Sequence, residues 1–321
     1  MRLDKRNNIF TSLFRDYGGP LIAIAALAIA LSFTTNGLFL SSNNISTLLN
    51  LFTTNCILAF AITCVLIVGE IDLSVGSIVA FSGVMMCLLL NDGVSFGAAM
   101  LIVLASGALL GLCVGLVVSY TDMPSFIVSL AMQMILRGAA NLISGGNRIS
   151  SSNETLYQLS AYRISGIPVS TIITIVVCIL LSILLSRTVF GAHMYATGGN
   201  RLAAFFSGIK TKKVVIISFV LTEALACFAG ILVASKVSSG QPTAGNGYEG
   251  NAIAAAVLGG VAFTGGSGTM FGALLGAFLI GILNNGMNLL EINNFWQSVC
   301  KGVIILLAVY IDTLKRKKTA A

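Results

Sequence analysis

LLNLFTTNCILAFAITCVLIV, residues Leu48 to Val68, runs for 21 residues without a charged side chain. At about 1.5 Å per residue, a helix of this length matches the roughly 30 Å hydrocarbon core of a bilayer. GEIDLSVGS, Gly69 to Ser77, follows it and places Glu70 and Asp72 between this run and the next apolar one. Acids are scarce elsewhere, with only 11 in 321 residues. At 56% hydrophobic and 9% charged, with a mean hydropathy of +0.96, the chain is too apolar for a soluble domain.

Ten apolar spans follow from the same criterion: Gly19 to Leu40, Leu48 to Val68, Leu73 to Leu90, Ser95 to Ser119, Pro124 to Ser144, Val169 to Ser186, Val214 to Ser235, Asn251 to Thr264, Thr269 to Leu290 and Gln297 to Ile311. The runs are continuous rather than alternating, so helices are expected and a membrane barrel is not. The 34 glycines suit close helix packing. The fold class is therefore an all-α polytopic membrane protein of about ten helices. The eighth span, at about 14 residues, is short enough to be a half-helix or a re-entrant segment. The basic N-terminus followed by a long apolar segment without a cleavage site reads as a retained first helix.

Basic residues set the expected orientation. With both termini cytoplasmic and ten crossings, 13 of the 18 Lys and Arg fall inside, including Arg187, Arg201, Lys210, Lys212 and Lys213. Arg148, Arg163 and Lys236 fall outside, and Arg137 and Lys301 lie within spans. The expected organisation is a cytoplasmic N-terminal segment (1–18), one transmembrane domain (19–313) with a long inner loop (187–213), and a basic tail (314–321). The net charge of +7 marks membrane edges and not a nucleic-acid surface, because no aromatic-interleaved basic patch accompanies it. The seven cysteines lie in apolar runs without paired spacing and are expected to be reduced core residues.

A weak internal repeat is visible. Gly107-Ala-Leu-Leu-Gly111 recurs as Gly272-Ala-Leu-Leu-Gly276, and Gln133-x-x-x-Arg137-Gly138 as Gln297-x-x-x-Lys301-Gly302. The offset of about 165 pairs spans an odd number apart, so spans 2–5 and 7–10 are expected to be an inverted repeat. A competing match at offset 196, from Asn55, Gly69 and Gly76 to Asn251, Gly265 and Gly272, would be parallel.

No catalytic constellation is present. One histidine, His193, cannot build a histidine metal cluster, and neither a GxSxG nor a GxxxxGK[ST] motif occurs. Gly265-Gly-Ser-Gly-Thr269 reads as a tight turn between helices. Of the charges within spans, Lys301 lies near an outer end and can snorkel. Glu223 and Arg137 fall at comparable depths, about 14 and 19 Å from the inner end. They are expected to form an ion pair or to line a polar path. Gln133 and the amides Asn284, Asn285 and Asn288 are candidates for such a path, because amides both donate and accept and suit an uncharged polyhydroxyl solute. In the inner loop, Gly-Gly-Asn200 reads as a turn into a short helix ended by Gly208, which is either a plain connector or a docking element for a cytosolic partner. Asp72 is placed to cap the third helix through the amide of Ser74 or Val75. Glu70 is either solvated or paired with a base of a partner or of the inner loop.

Four segments together carry a resemblance. They are Gly69-x-Ile-Asp72-Leu-Ser74-Val-Gly76-Ser77, the inner-loop run Ala196-x-Gly198-Gly199-Asn200-x-x-Ala203-Ala204-x-x-Ser207-Gly208-Ile209, Gln241-Pro-Thr-Ala-Gly-x-Gly-Tyr-Glu249, and Leu283-Asn284-Asn285-Gly-x-Asn288-Leu-Leu290. Over essentially the whole chain the sequence resembles the permease subunit of bacterial ATP-binding-cassette importers for simple sugars of the ribose type. The resemblance implies a multi-pass permease of the bacterial inner membrane that moves a monosaccharide by alternating access. It implies a second permease copy or paralogue, two cytosolic ATPase subunits and an extracytoplasmic solute-binding protein as partners. Gly198, Gly199, Asn200, Ala203, Ala204, Ser207 and Gly208 match the family's ATPase-contacting loop, and Asp72, Ser74 and Gly76 its Ile-Asp-Leu-Ser signature. No cofactor is expected on this chain, since ATP and Mg would be used by the ATPase. Glu70 departs from the family pattern. The competing class is an ion-coupled secondary transporter with Glu223 as the coupling carboxylate.

Overall fold

A computed structural model describes residues 9–293, 295–304, 306–307 and 310. The first eight residues and the tail 314–321 lie outside the described residues, as does part of the tenth expected span.

Every other expected span is a helix. They are α1 (Ile9–Thr34), α2 (Ser42–Ile67), α3 (Val75–Asn91), α4 (Phe96–Thr121) and α5 (Ser125–Ser144), then, after a short α6 (Glu154–Ala161), α7 (Val169–Arg187). The inner-loop region holds two further helices, α8 (Val189–Gly199) and α9 (Arg201–Phe206), before α10 (Thr211–Val237), α11 (Tyr248–Leu258) and α12 (Met270–Leu289). Residues 295–304 are also helical. Seven of these helices are long and apolar enough to cross a membrane, and the apolar α3 falls just short at 17 residues. The eighth span resolves as a half-helix: α11 has 11 residues, about 16 Å, and cannot cross alone.

Local chemistry sets the helix boundaries. Ser41, Thr188, Asn200 and Thr269 each accept a hydrogen bond from the backbone amide three residues on, which starts α2, α8, α9 and α12. Gly208, at φ +85°, follows the end of α9.

α2 is the axis of the bundle. Ile57, Phe60 and Ile62 are fully buried in it, and α10, α11 and α12 pack on it. α10 also packs closely on α4. Gly107, Gly111 and Gly115 recur every fourth residue on α4, and added β-carbons there would meet Cys227 Sγ at 2.6 Å, Val220 Cα at 2.7 Å and Ile216 Cα at 2.8 Å. The second Gly-Ala-Leu-Leu-Gly run does the same for α12, where Gly272 and Gly276 lie against the carbonyls of Gly259 and Ala255. Five cysteines are buried and unbridged, but Cys113 and Cys300 are exposed on their helices, which corrects the expectation that all seven are core residues.

The connections sort into two ends. At the first, which we call the glycine end, Gly266 N–H donates to Ile67 O at 2.9 Å, Ile71 N–H to Ser125 Oγ at 3.0 Å, and Ser119 Oγ to Lys212 O at 3.3 Å. At the second, the strand end, β1 (Ile149–Ser150) pairs antiparallel with β4 (Ser239–Gly240), and Asn91 Nδ2 donates to Ser150 O. There too β2 (Arg163–Ile164) pairs with β3 (Ile167–Pro168), and the Arg163 guanidinium bonds Ser46 Oγ. Successive connections alternate between the ends. Arg187, Arg201, Lys210, Lys212 and Lys213 therefore share the glycine end, while Arg148, Arg163 and Lys236 share the strand end.

Candidate functional site

Two polar regions interrupt the apolar bundle. The first, at the glycine end, joins two breaks in the helical backbone to the last turn of α8. Gly69 follows α2 at φ +81°, and Gly265 lies between α11 and α12 at φ +89°, a conformation that favours glycine. A β-carbon on Gly265 would lie 2.8 Å from Gly69 Cα, and one on Gly198 of α8 would run into the Ile67 carbonyl. The last turn of α8 is thus pressed between the two breaks. Tyr195 on α8 donates its hydroxyl to Gly268 O at 2.8 Å. Burial raises the Tyr195 phenol above its ordinary value. Tyr17 of α1 bonds Thr269 Oγ1 at 3.0 Å and adds the first helix to the same cluster.

Glu70 belongs here. It is 8% exposed, and its Oε1 accepts from Arg201 Nη1 at 2.7 Å. Of the alternatives open to Glu70, the partner is a base of the inner loop. Asp72 Oδ1 accepts from Ser74 N–H at 2.8 Å and from Ser74 Oγ at 2.6 Å, so it closes the turn into α3 from two residues before the N-cap, Ser74. Ser74 and Gly76 are buried beside it.

The short helix α9 projects from this cluster. Asn200 Oδ1 accepts from Ala203 N–H at 2.9 Å and fixes its start. Gly198 and Gly199 are the last turn of α8, so the bend falls at Asn200, one residue later than the Gly-Gly pair suggests. Ala204 is the buried residue of α9, whereas Leu202, Phe205 and Phe206 are exposed, Phe206 at 83%. Ala203 and Ser207 are also exposed, with Ser207 Oγ bonded to Ala203 O.

The second polar region lies in the bundle between α3, α5 and the start of α11. Residues 238–247 leave the strand end in a non-helical path, and Gly245 reaches the first turn of α3 at Gly76. Unpaired carbonyls inside a membrane are costly, and a side chain satisfies these. Arg137 Nη1 donates to Pro242 O at 2.7 Å and to Ala244 O at 2.6 Å. One turn earlier on α5, Gln133 Nε2 donates to Glu249 Oε1 at 3.4 Å. Glu249 Oε2 has no hydrogen-bond partner among the described residues. A donor amide, a carboxylate and a guanidinium thus gather between α5 and the first turns of α3 and α11, where Glu249 Oε2 packs against Gly76.

These partners correct the expected Arg137–Glu223 ion pair. Arg137 is engaged by the carbonyls after α10, while Glu223 is buried on α10 with neither carboxylate oxygen hydrogen-bonded among the described residues. Helix depth is common to the two residues, but they face different neighbours. The amides at the end of α12 also separate. Asn285 exchanges two hydrogen bonds with Asn44 of α2, at 2.7 and 3.0 Å, and is 3% exposed, so its amide is closed to a path. Asn288 Oδ1 accepts from Gln297 Nε2 at 2.9 Å, and Asn284 Oδ1 is buried without a hydrogen-bond partner among the described residues. Glu249, Arg201 and Tyr195 were not singled out from the sequence. Glu249 was legible only as the end of the Gln241 to Glu249 run, because nothing local shows that a non-helical segment carries it inward.

A bundle with seven helices long and apolar enough to cross a membrane, and hydrogen-bonded polar side chains between them, defines a polytopic membrane protein. The chain matches the branched-chain amino acid transport system permease component family over residues 44–309, and it belongs to that family. It is 40% identical to the ribose import permease protein of Bacillus subtilis (strain 168), over 94% of this chain and 93% of that one. It is 37% identical to the ribose import permease protein of Escherichia coli (strain K12), over 92% and 93% of the two chains. It is 33% identical to the D-allose transport system permease protein of the same strain, over 95% and 94%. No solved structure matches the chain significantly. The protein is accordingly a multi-pass membrane permease component, and the ATPase of such a system is a separate chain.

Proposed function

We propose that this permease carries a simple sugar of the ribose type inward as part of an ATP-binding-cassette importer. The relatives named for ribose and allose, each aligned along nearly its whole length, support the solute class. The observation that carries the coupling is α9. It presents Leu202, Phe205 and Phe206 outward while α8, directly before it, is pressed against both Gly69 and Gly265. An apolar knob on a cytosolic surface fits a groove of an ATPase subunit. Its motion reaches α2, α3, α11 and α12 through one rigid turn. Gly198, Gly199, Asn200, Ala203, Ala204, Ser207 and Gly208 form this coupling element.

The glycine end is cytoplasmic in this reading, because it gathers the larger share of Lys and Arg. Both termini are then inside, the tail 314–321 is a basic cytoplasmic segment, and 19–313 acts as one permease domain. Two permease copies or paralogues, two ATPases and an extracytoplasmic solute-binding protein complete the assembly, with ATP and Mg consumed by the ATPases. The path passes the Gln133–Glu249 pair, whose mixed donors and acceptors suit hydroxyl groups, and Asn284 and Asn288 border its strand end. The matching roles of Gly107 and Gly111 on α4 and of Gly272 and Gly276 on α12 support an inverted repeat of spans 2–5 and 7–10.

Proteoliposomes containing the permease, its ATPase and its binding protein test the proposal. Saturable ribose uptake that requires ATP is expected. Uptake that continues without the ATPase and collapses with an ion gradient would instead favour as coupling carboxylate Glu223, which is buried without a hydrogen-bond partner among the described residues.

A further inference from the structure

At the glycine end a cavity of about 380 Å³ opens between α8 and the start of α10, with Gly208, the last residue of the coupling element, on its wall. Its floor is apolar, formed by Phe190, Val214 and Ile217, and its rim carries His193, Lys210 and Lys213. Neither lysine has a carboxylate within ion-pair distance among the described residues, where the one ion pair is Arg201 with Glu70. No side chain caps the first turn of α10, so its amides add positive potential on the same side.

From these residues we infer that the cavity is a binding site for one anionic phospholipid, held by its phosphodiester headgroup. Charge alone would suit any anion. The arrangement of the walls favours a lipid. Lys213 and Ile217 are four residues apart on α10, so the apolar wall continues about one helical turn from the ammonium group toward the bilayer. A phosphate seated between Lys210 and Lys213 therefore has its acyl chains directed along Ile217, while a free anion would leave that wall empty. Basic pockets between transmembrane helices at the membrane edge take lipid headgroups by this combination. The site neighbours the coupling element through α8, and the inference holds whichever solute the permease carries.

Native mass spectrometry of the detergent-purified chain, titrated with phosphatidylglycerol or phosphatidylcholine, tests it. One phosphatidylglycerol per chain is expected to bind in preference to phosphatidylcholine. In Lys210→Gln/Lys213→Gln its affinity should fall about thirtyfold, the loss of two lysine contacts to an anionic headgroup. Lys212→Gln removes a neighbouring lysine that sits over the Tyr120 ring and does not line the cavity. It should change the affinity less than about twofold, and an equal loss in both variants would reduce the effect to general surface charge and overturn the site. Displacement of the lipid by inorganic phosphate at equal concentration would show a free-anion site and also overturn it. So would unchanged lipid binding in the double variant accompanied by loss of ATPase co-purification, which would assign the lysines to the partner. Thermal melting of each variant checks that it is folded.

Discussion

Arg201 Nη1 and Glu70 Oε1 meet at 2.7 Å although 131 residues separate them, and they tie the short helix α9 to the turn between α2 and α3. Arg201 is 43% exposed while Glu70 is nearly buried, so solvent screens the pair and its worth is about 0.5 kcal/mol. Its effect should therefore appear in coupling more than in stability. Glu70→Gln and Arg201→Gln are each expected to lower sugar uptake per ATP hydrolysed about twofold, with ATPase turnover retained. The exchanged pair Glu70→Arg/Arg201→Glu should recover much of it, and uptake-to-hydrolysis ratios in proteoliposomes measure this.

Gly198 and Gly199 are adjacent but differ sharply in their surroundings. A β-carbon on Gly198 meets the Ile67 carbonyl and Gly266 N, whereas one on Gly199 meets nothing within 4 Å. Gly198→Ala is expected to abolish uptake while the protein still inserts, and Gly199→Ala to transport within about twofold of the parent. Equal activity of the two variants would remove the close-contact argument.

Arg137 supplies hydrogen bonds to two carbonyls that no helix satisfies. Arg137→Met should destabilise the folded protein by about 2–4 kcal/mol, the cost of leaving such groups unpaired. Arg137→Lys restores a single point donor and should recover only part of the loss. Thermal unfolding in detergent reads both.

Glu223 behaves differently. Its carboxylate oxygens have no partner among the described residues, so Glu223→Gln should leave the melting temperature unchanged or raise it. Combined with Arg137→Gln, the effects should add within about 0.5 kcal/mol. Strong coupling between the two in a double-mutant cycle would restore the ion pair that their depths suggest.

Helix periodicity and charge made most of the bundle legible. Spans such as Leu48 to Val68 and Pro124 to Ser144 need only length and apolarity to be recognised; the second agrees with α5 to within one residue, and the first with the end of α2, which starts earlier, at Ser42. The short helix α9 was readable because Asn200 and Gly208 carry local signals, a cap and a left-handed stop. Partnerships across the bundle were not. Arg137 and Glu223 share a depth, but azimuth around each helix decides their contacts, and the sequence carries azimuth only where an amphipathic pattern marks it. In a helix surrounded by lipid and protein, both faces are apolar and that mark is lost. Asn285 illustrates the same limit, since its partner Asn44 lies 241 residues away.

The contact among Gly69, Gly198 and Gly265 is backbone against backbone: the nearest atoms an added β-carbon would meet at each are main-chain ones. Interdigitated side chains resist sliding, because each step would empty one hole before filling the next. Smooth surfaces of peptide lack those teeth, and the Gly266 to Ile67 hydrogen bond is a short tether across them. The junction therefore works as a bearing. It can swivel through small angles while the apolar bundle above stays packed, and a single methyl group would be enough to jam it.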